Sequence, residues 1–192
     1  PHEYSMLYRR PLIIKQSQIV KCATFKEGKR VGQILAVPVH VSGVTGRNVL
    51  RSTSVERRLV NGVRGSLKNT DDEWAFWEKN DSIAVTIDVG ARKRLGKVSL
   101  GYLNHFGLGI HKPQKVEVWL SDNDMHYWKA AEQVFGGEEI FAEGRFTEEM
   151  ELIFKDVARY VRVIMKGAGK CPEHHVRPGL EAQIYLDEIL IE

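Results

Sequence analysis

The chain has 192 residues, of which 43% are hydrophobic and 28% charged, enough for one domain of ordinary size, with some to spare, to bury a core without disulfides or a metal. Its net charge is +3, with Arg57-Arg58 and Arg92-Lys93-Arg94 as the tight basic clusters; nucleic-acid binding, which wants a longer basic stripe with interleaved aromatics, is excluded. Apolar runs of only a few residues exclude a membrane-spanning helix, and two cysteines, Cys22 and Cys171, make no disulfide framework; both are expected free and buried.

Short strands are predicted near residues 11–14, 18–25, 33–41 and 48–54, separated by turn signals at Glu27-Gly28-Lys29 and Ser42-Gly43. A short helical turn fits residues 56–60 or 122–127. Further along, period-two alternation dominates. Ile83, Val85, Ile87 and Val89 alternate with polar residues, as do Val98, Leu100 and Tyr102, then Val116, Val118 and Leu120, then Met150, Leu152 and Phe154. Each reads as a strand with one face buried. Residues 160–165 and 184–191 supply two more. Many strands without intervening helices imply an antiparallel sandwich or jelly roll. The segment 41–46 reads as a hinge between a few strands before it and a complete sandwich after it.

Several clusters could carry chemistry. Leu59-Val60-Asn61-Gly62-Val63-Arg64-Gly65-Ser66, followed by Asp71, Asp72, Glu73 and Asp81, mixes turn residues with oxygen donors. Calcium is caged in that way, by six to eight oxygens. Glu188 on the last strand is the candidate distant carboxylate. Trp74 and Trp77 lie in an acidic loop, where flat aromatic faces suit a sugar ring; Trp119 and Trp128 read as structural. The loop 104–112 carries His105, Phe106 and His111 with two glycines, a composition met in recognition loops. Cys171-Pro172-Glu173-His174-His175 hints at zinc, but no second Cys/His pair matches it, so a surface loop with stray histidines is expected. Two acidic runs, 71–73 and Asp187-Glu188, are the candidate carboxylate pairs of a glycosidase. The second continues a strand, which should turn its two side chains to opposite faces, and no apolar pocket is signalled around either. No phosphate loop or nucleophile elbow exists, so catalysis within this chain is not expected.

Leu59 to Ser66, Asp72-Glu73-Trp74, the run 84–90, the run 113–121, Ala158 to Ile164, the run 168–173 and Leu186-Asp187-Glu188-Ile189 together resemble the coagulation-factor 5/8 type C (discoidin-like, galactose-binding-like) family. The resemblance is to the version at the C-terminus of secreted bacterial β-N-acetylhexosaminidases, or chitobiases, of the Bacteroides type. Ser5 to Tyr8, Pro11 to Ile14, Ile19 to Phe25 and Gly28 to Arg30 resemble the fibronectin-type-III-like C-terminal module of chitobiases. The chain therefore reads as part of a longer protein: residues 1–42 the end of that module, residues 46–192 the jelly roll.

The resemblance implies an all-β fold, an eight-stranded antiparallel jelly-roll β-sandwich preceded by a partial small β-sandwich segment. It implies a structural calcium held by Asn61, the Val63 carbonyl, Ser66, the Asp187 carbonyl and the Glu188 carboxylate. Asn61 stands where the family usually has Asp, and Ala75 where it usually has Gly. Sugar contacts fall to Trp74, Trp77, His105, Phe106 and His111. The implied role is a non-catalytic, carbohydrate-binding accessory module of a secreted, periplasmic or cell-surface glycoside hydrolase. Its partners would be a glycan bearing N-acetylhexosamine or galactose and the upstream catalytic domain of the same chain, which breaks the bonds. The rival expectation is a domain that only buttresses that catalytic barrel.

Overall fold

The computed structural model describes residues 1–51, 55–78 and 82–192. The expectations for residues 52–54 and for Asp81 lie outside the described residues. Two strands, β1 (Gln18–Lys26) and β2 (Lys29–Val39), form an antiparallel ribbon of their own. Its turn is made by Glu27 and Gly28, both in the left-handed region at φ 51° and 74°, the conformation a two-residue hairpin demands. The other seven strands among the described residues form a single antiparallel network: β3 (Asn48–Leu50), β4 (Ala75–Trp77), β5 (Ile83–His105), β6 (Lys115–Ser121), β7 (Trp128–Val134), β8 (Arg145–Lys166) and β9 (Ile184–Ile191). Their order is β4-β9-β5-β8-β6-β7, with β3 also on β5.

The long pair β5 and β8 turns this network into a sandwich. Their register slips between Asp88 and Lys93 and again between Leu95 and Lys97, and such bulges bend and twist a strand. Before the bend, β5 pairs with β3 and the end of β8, Ile83 facing Met165; after it, β5 pairs with β9 and the start of β8, His105 facing Arg145. Val85 and Ile87 from the first half meet Val98, Leu100 and Tyr102 from the second in one core, joined by Val116, Val118, Leu152, Val161, Val163, Ile189 and Ile191. Each such aliphatic side chain contributes about 1.5–3 kcal/mol on burial. The jelly-roll expectation holds, with two strands long enough to serve both layers.

Two connections, 106–114 between β5 and β6 and 167–183 between β8 and β9, cross between the halves at the end marked by His105, Lys115, Lys166 and Ile184. They are tied by backbone bonds: Gln183 N donates to Gly109 O at 2.8 Å and His111 N to Gln183 O at 2.9 Å.

Some local expectations fail for identifiable reasons. Residues 11–14 form no strand; no partner strand pairs with them, and Leu12 and Ile13 are exposed. Residues 56–60 do form one turn of 3-10 helix, but 122–127 do not. There the side chains of Ser121 and Asn123 accept from the backbone amides of Asn123, Asp124, Met125 and His126, offering the chain an alternative to helix. Cys22 is exposed rather than buried because it sits on the open ribbon, whereas Cys171 is buried. The 41–46 segment is tied down: Val44 is fully buried in the core, and Gly43 N donates to Ile191 O at 3.2 Å. No helix among the described residues is long and apolar enough to cross a membrane.

Candidate functional site

The last strand carries the first unusual feature. Leu100 faces Ile189 and Tyr102 faces Leu186, so Asp187 and Glu188 together oppose the single residue Gly101. This bulge breaks the alternation that would have sent the two carboxylates to opposite faces. Both instead engage the loop 61–66. Gly62 N donates to Glu188 Oε2 at 2.9 Å, Gly65 N donates to Asp187 Oδ2 at 3.0 Å, and Arg64 Nη1 donates to Asp187 Oδ1 at 3.0 Å. The second arm of Arg64 pairs with Glu149. Gly101 is required here, since a β-carbon would overlap both Arg64 and Asp187.

Glu188 is fully buried, and burial pushes its carboxyl up to about 8; the Gly62 amide opposes the rise and the Asp187 charge adds to it. Burial raises Asp187 as well, against the pull of Arg64. The expectation that no apolar burial surrounds this pair is therefore overturned: the loop 59–66 covers it. That cover also keeps Glu188 from reaching a substrate.

The oxygen donors named for calcium are gathered in this loop and bulge. Glu188 Oε1 is buried with no hydrogen-bond partner, a state that asks for a cation or a proton. Asn61 Oδ1 accepts from Val63 N at 2.7 Å while its amide donates to Glu73, and Ser66 Oγ accepts from Lys68 N at 3.2 Å. The Asp187 carboxylate is committed to Arg64 and Gly65. One orphaned buried carboxylate oxygen under an oxygen-bearing turn fits a hard cation.

The aromatic set is placed differently from the expectation of an open cleft. Trp74 is 1% exposed. Its ring lies flat against Gly65, leaving no room for a β-carbon there, and its Nε1 donates to Ser66 O and Lys68 O at 3.1 and 3.0 Å. With Leu103, Ile110 and Tyr185 it makes a second small core beneath the 61–74 loop, so it has no face to offer a sugar. Trp77 packs half-buried against the main core. His105 and Phe106 are half-buried at the crossover end, and His111 is 1% exposed. For Trp74 the physical reason is that a large ring in a loop gains more by covering apolar surface than by standing in water.

The residues brought to the surface were not among those expected. Phe76 is 43% exposed and stacked on Tyr185, ring centres 5.1 Å apart and planes 18° from parallel. Two residues along β9 from Tyr185, a pocket of about 280 Å³ is lined by Arg64, Gly65, Gly101, Thr147, Glu148, Glu149 and Asp187. A signal for Phe76 exists, since Ala75-Phe76-Trp77 alternates and the two neighbours of Phe76 turn inward. None exists for Arg64 or Glu149, which meet only through the fold.

The Cys171–His175 segment is also corrected. Cys171 and His175 are each 3% exposed, and His111 joins them from the other crossover. The ring centres of His111 and His175 are 5.1 Å apart, and Phe106 and Phe141 pack beside them.

No family model matches the chain, and no curated protein matches it. Among solved structures, chitosan-binding module 1 of a chitosanase/glucanase from Paenibacillus sp. IK-5 is similar at 13% identity with a TM-score of 0.50, over 80% of this chain and 99% of that one. Chitosan-binding module 2 of the same enzyme, solved with chitotriose, is 13% identical over 78% of this chain and 98% of that one, with a TM-score of 0.47. The C-terminal domain of a chitobiase from Bacteroides fragilis is 14% identical over 78% and 95%, with a TM-score of 0.46. At this identity the likeness is one of fold: the chain shares the antiparallel β-sandwich architecture of chitosan-binding module 1.

Proposed function

We propose that the chain is a non-catalytic carbohydrate-binding module that serves a secreted glycoside hydrolase of the β-N-acetylhexosaminidase type. The fold it shares with a chitosan-binding module supports the class. The observation that carries the reading is the pocket floored by Gly101 and lined by Arg64, Thr147, Glu148, Glu149 and Asp187, with the stacked Phe76–Tyr185 pair further along β9. A flat apolar ring beside fixed hydrogen-bonding groups is what a sugar needs. Three carboxylates against one guanidinium favour sugars with amine or hydroxyl donors over uronic acids. Weak holding of that kind keeps a tethered catalytic domain near polymer by raising effective concentration. Of the aromatics named from the sequence, His105 and Phe106 remain candidates at the crossover end.

Calorimetry with chito-oligosaccharides and with oligo-uronates tests the reading. Binding of the first and not the second is expected, with Phe76→Ala abolishing the heat while the chain stays folded by circular dichroism. A folded wild-type chain that binds no sugar in a broad glycan screen leaves the buttressing role in its place.

Calcium belongs to the same proposal. Glu188 would supply the carboxylate, and Asn61, Val63, Ser66 and the Asp187 carbonyl the neutral oxygens. The ion would stiffen the loop 61–66, whose Arg64 and Gly65 line the pocket. Adding Ca²⁺ alone to metal-stripped protein should raise the melting temperature, and Glu188→Gln should remove that response. Equal melting with and without Ca²⁺ would count against it.

A further inference from the structure

Three side chains with soft, metal-ligating donors meet at the crossover end. His111, Cys171 and His175 are all buried, and their donor atoms lie within 4.8 Å of one another. A tetrahedral zinc with about 2.1 Å to nitrogen and 2.3 Å to sulfur places its donors about 3.3–3.7 Å apart. His111 Nε2 and His175 Nε2 are already 3.1 Å apart, so the two imidazoles need little adjustment, and the Cys171 thiol, within 4.8 Å, has about 1 Å at most to close.

The surroundings of His111 are those of a metal ligand. Asn104 Nδ2 donates to Ala142 O at 2.9 Å and Gly144 O at 3.3 Å. Those two carbonyls fix the amide, so Asn104 Oδ1 is the atom that faces His111 Nδ1 at 3.3 Å. An acceptor there places the proton on Nδ1 and leaves the Nε2 lone pair aimed into the cluster. An outer acceptor that sets the tautomer of a ligating histidine is the usual second partner of such sites. Asn104 is itself 1% exposed, so the arrangement is built into the interior rather than gathered by chance on a surface.

His175 completes the picture in its metal-free form. Its Nδ1 accepts from Arg177 N at 2.9 Å, so its Nε2 carries the proton and donates to His111 Nε2. A metal would take the place of that proton. The proton moves to His175 Nδ1, giving up the Arg177 bond, and the Cys171 thiol loses its own proton to solvent. Phe106, its ring centre 4.1 Å from that of His175, and Phe141, 5.0 Å from His111, wall the site.

We infer that His111, Cys171 and His175 form a binding site for a zinc ion, which clamps the crossover 106–114 to the crossover 167–183. A thiolate and two imidazoles suit zinc and its neighbours, whereas calcium wants oxygen; this site is thus separate from the loop around Glu188. Three protein ligands leave one tetrahedral position for a small fourth ligand such as water.

The test uses the intact chain, stripped with chelator and shown by circular dichroism to be folded. Zinc content after dialysis against Zn²⁺ should be one equivalent, and Co²⁺ in its place should give a thiolate-to-cobalt charge-transfer band that Zn²⁺ displaces. The band should survive Cys22→Ser and vanish in Cys171→Ser. Asn104→Ala, which leaves all three ligands, should weaken Zn²⁺ binding about 10–100-fold. A folded wild-type chain that takes up no Zn²⁺ and gives no Co²⁺ band overturns the inference, as does a band that follows Cys22 instead.

Discussion

At the scale of single residues, Trp74 and Gly65 are one feature rather than two. The indole lies against the glycine so closely that a β-carbon would fall 2.8 Å or less from ring atoms. Trp74→Ala removes a fully buried aromatic and should cost about 3–5 kcal/mol; Gly65→Ala pushes the ring off its seat and should cost about 1–3 kcal/mol. Urea midpoints measure both, and an unchanged midpoint for either would show that the ring is not seated as described. Asp88 supplies a pH test. Arg159 donates to it through two nitrogens at 3.0 and 2.8 Å, and that bond holds the carboxyl below its ordinary value against the effect of burial, with the Gly90 amide helping. A depressed acid stabilises the fold above its unfolded pKa, about 3.9, and the contribution is lost as pH falls through the lower folded value. Asp88→Asn should therefore lower the melting temperature at about pH 6, and the deficit should shrink as pH falls below about 3.9. A deficit that persists undiminished into acid would mean the pair contributes nothing through its charge. Trp74 also marks the limit of legibility at this scale: residue type singled it out, but the same type serves a binding face and a buried plug, and only the chain packed over it decides which.

At the scale of elements, the alternating strands were readable because their period matches the pleat. Val116, Val118 and Leu120 in β6 and Val161 and Val163 in β8 are buried as the pattern requires. What could not be read is where the pattern breaks. The bulge at Asp187-Glu188 carries no local signal, yet it puts two carboxylates on one loop and creates the pocket. Nor could residue spacing join His111 to Cys171 and His175, since the two crossovers meet only after β5 to β9 have paired. The bulge depends on the absence of a side chain at Gly101. Gly101→Ala should displace Arg64 from Asp187, leaving a buried carboxylate without its counter-ion, and should destabilise by about 3–5 kcal/mol. The variant should also lose oligosaccharide binding. If the melting temperature and the binding both matched the wild type, the pairing of Asp187 with Arg64 across Gly101 would not be the element that shapes this pocket.

At the scale of the whole molecule, two kinds of sheet are joined in one chain. The β5–β8–β9 centre buries its side chains on the main core, whereas the β1–β2 ribbon leaves Ile19, Val31, Ile34 and Leu35 between 39% and 61% exposed. A two-stranded ribbon with open faces is marginal in water, because its backbone bonds have little apolar cover to hold water off. The long pairings of the sandwich have the opposite character. Val98 sits between Leu152 on one side and Ile191 on the other, partners that must come together across many residues of chain, so the centre opens only when the whole sandwich does. Amide hydrogen exchange should therefore separate the two by their opening free energies. Val98, Leu100 and Val161 should exchange only by global unfolding, while the amides of β1 and β2 exchange orders of magnitude faster at the same pH. If residues 18–39 were protected as strongly as Val98, the ribbon would have to be held by packing that its exposed side chains do not provide, and its independence from the sandwich would fail. Adding sugar or metal ions should slow exchange in the loops 61–74 and 106–114 and leave the ribbon unchanged beyond its end, where Val39 bridges Val63.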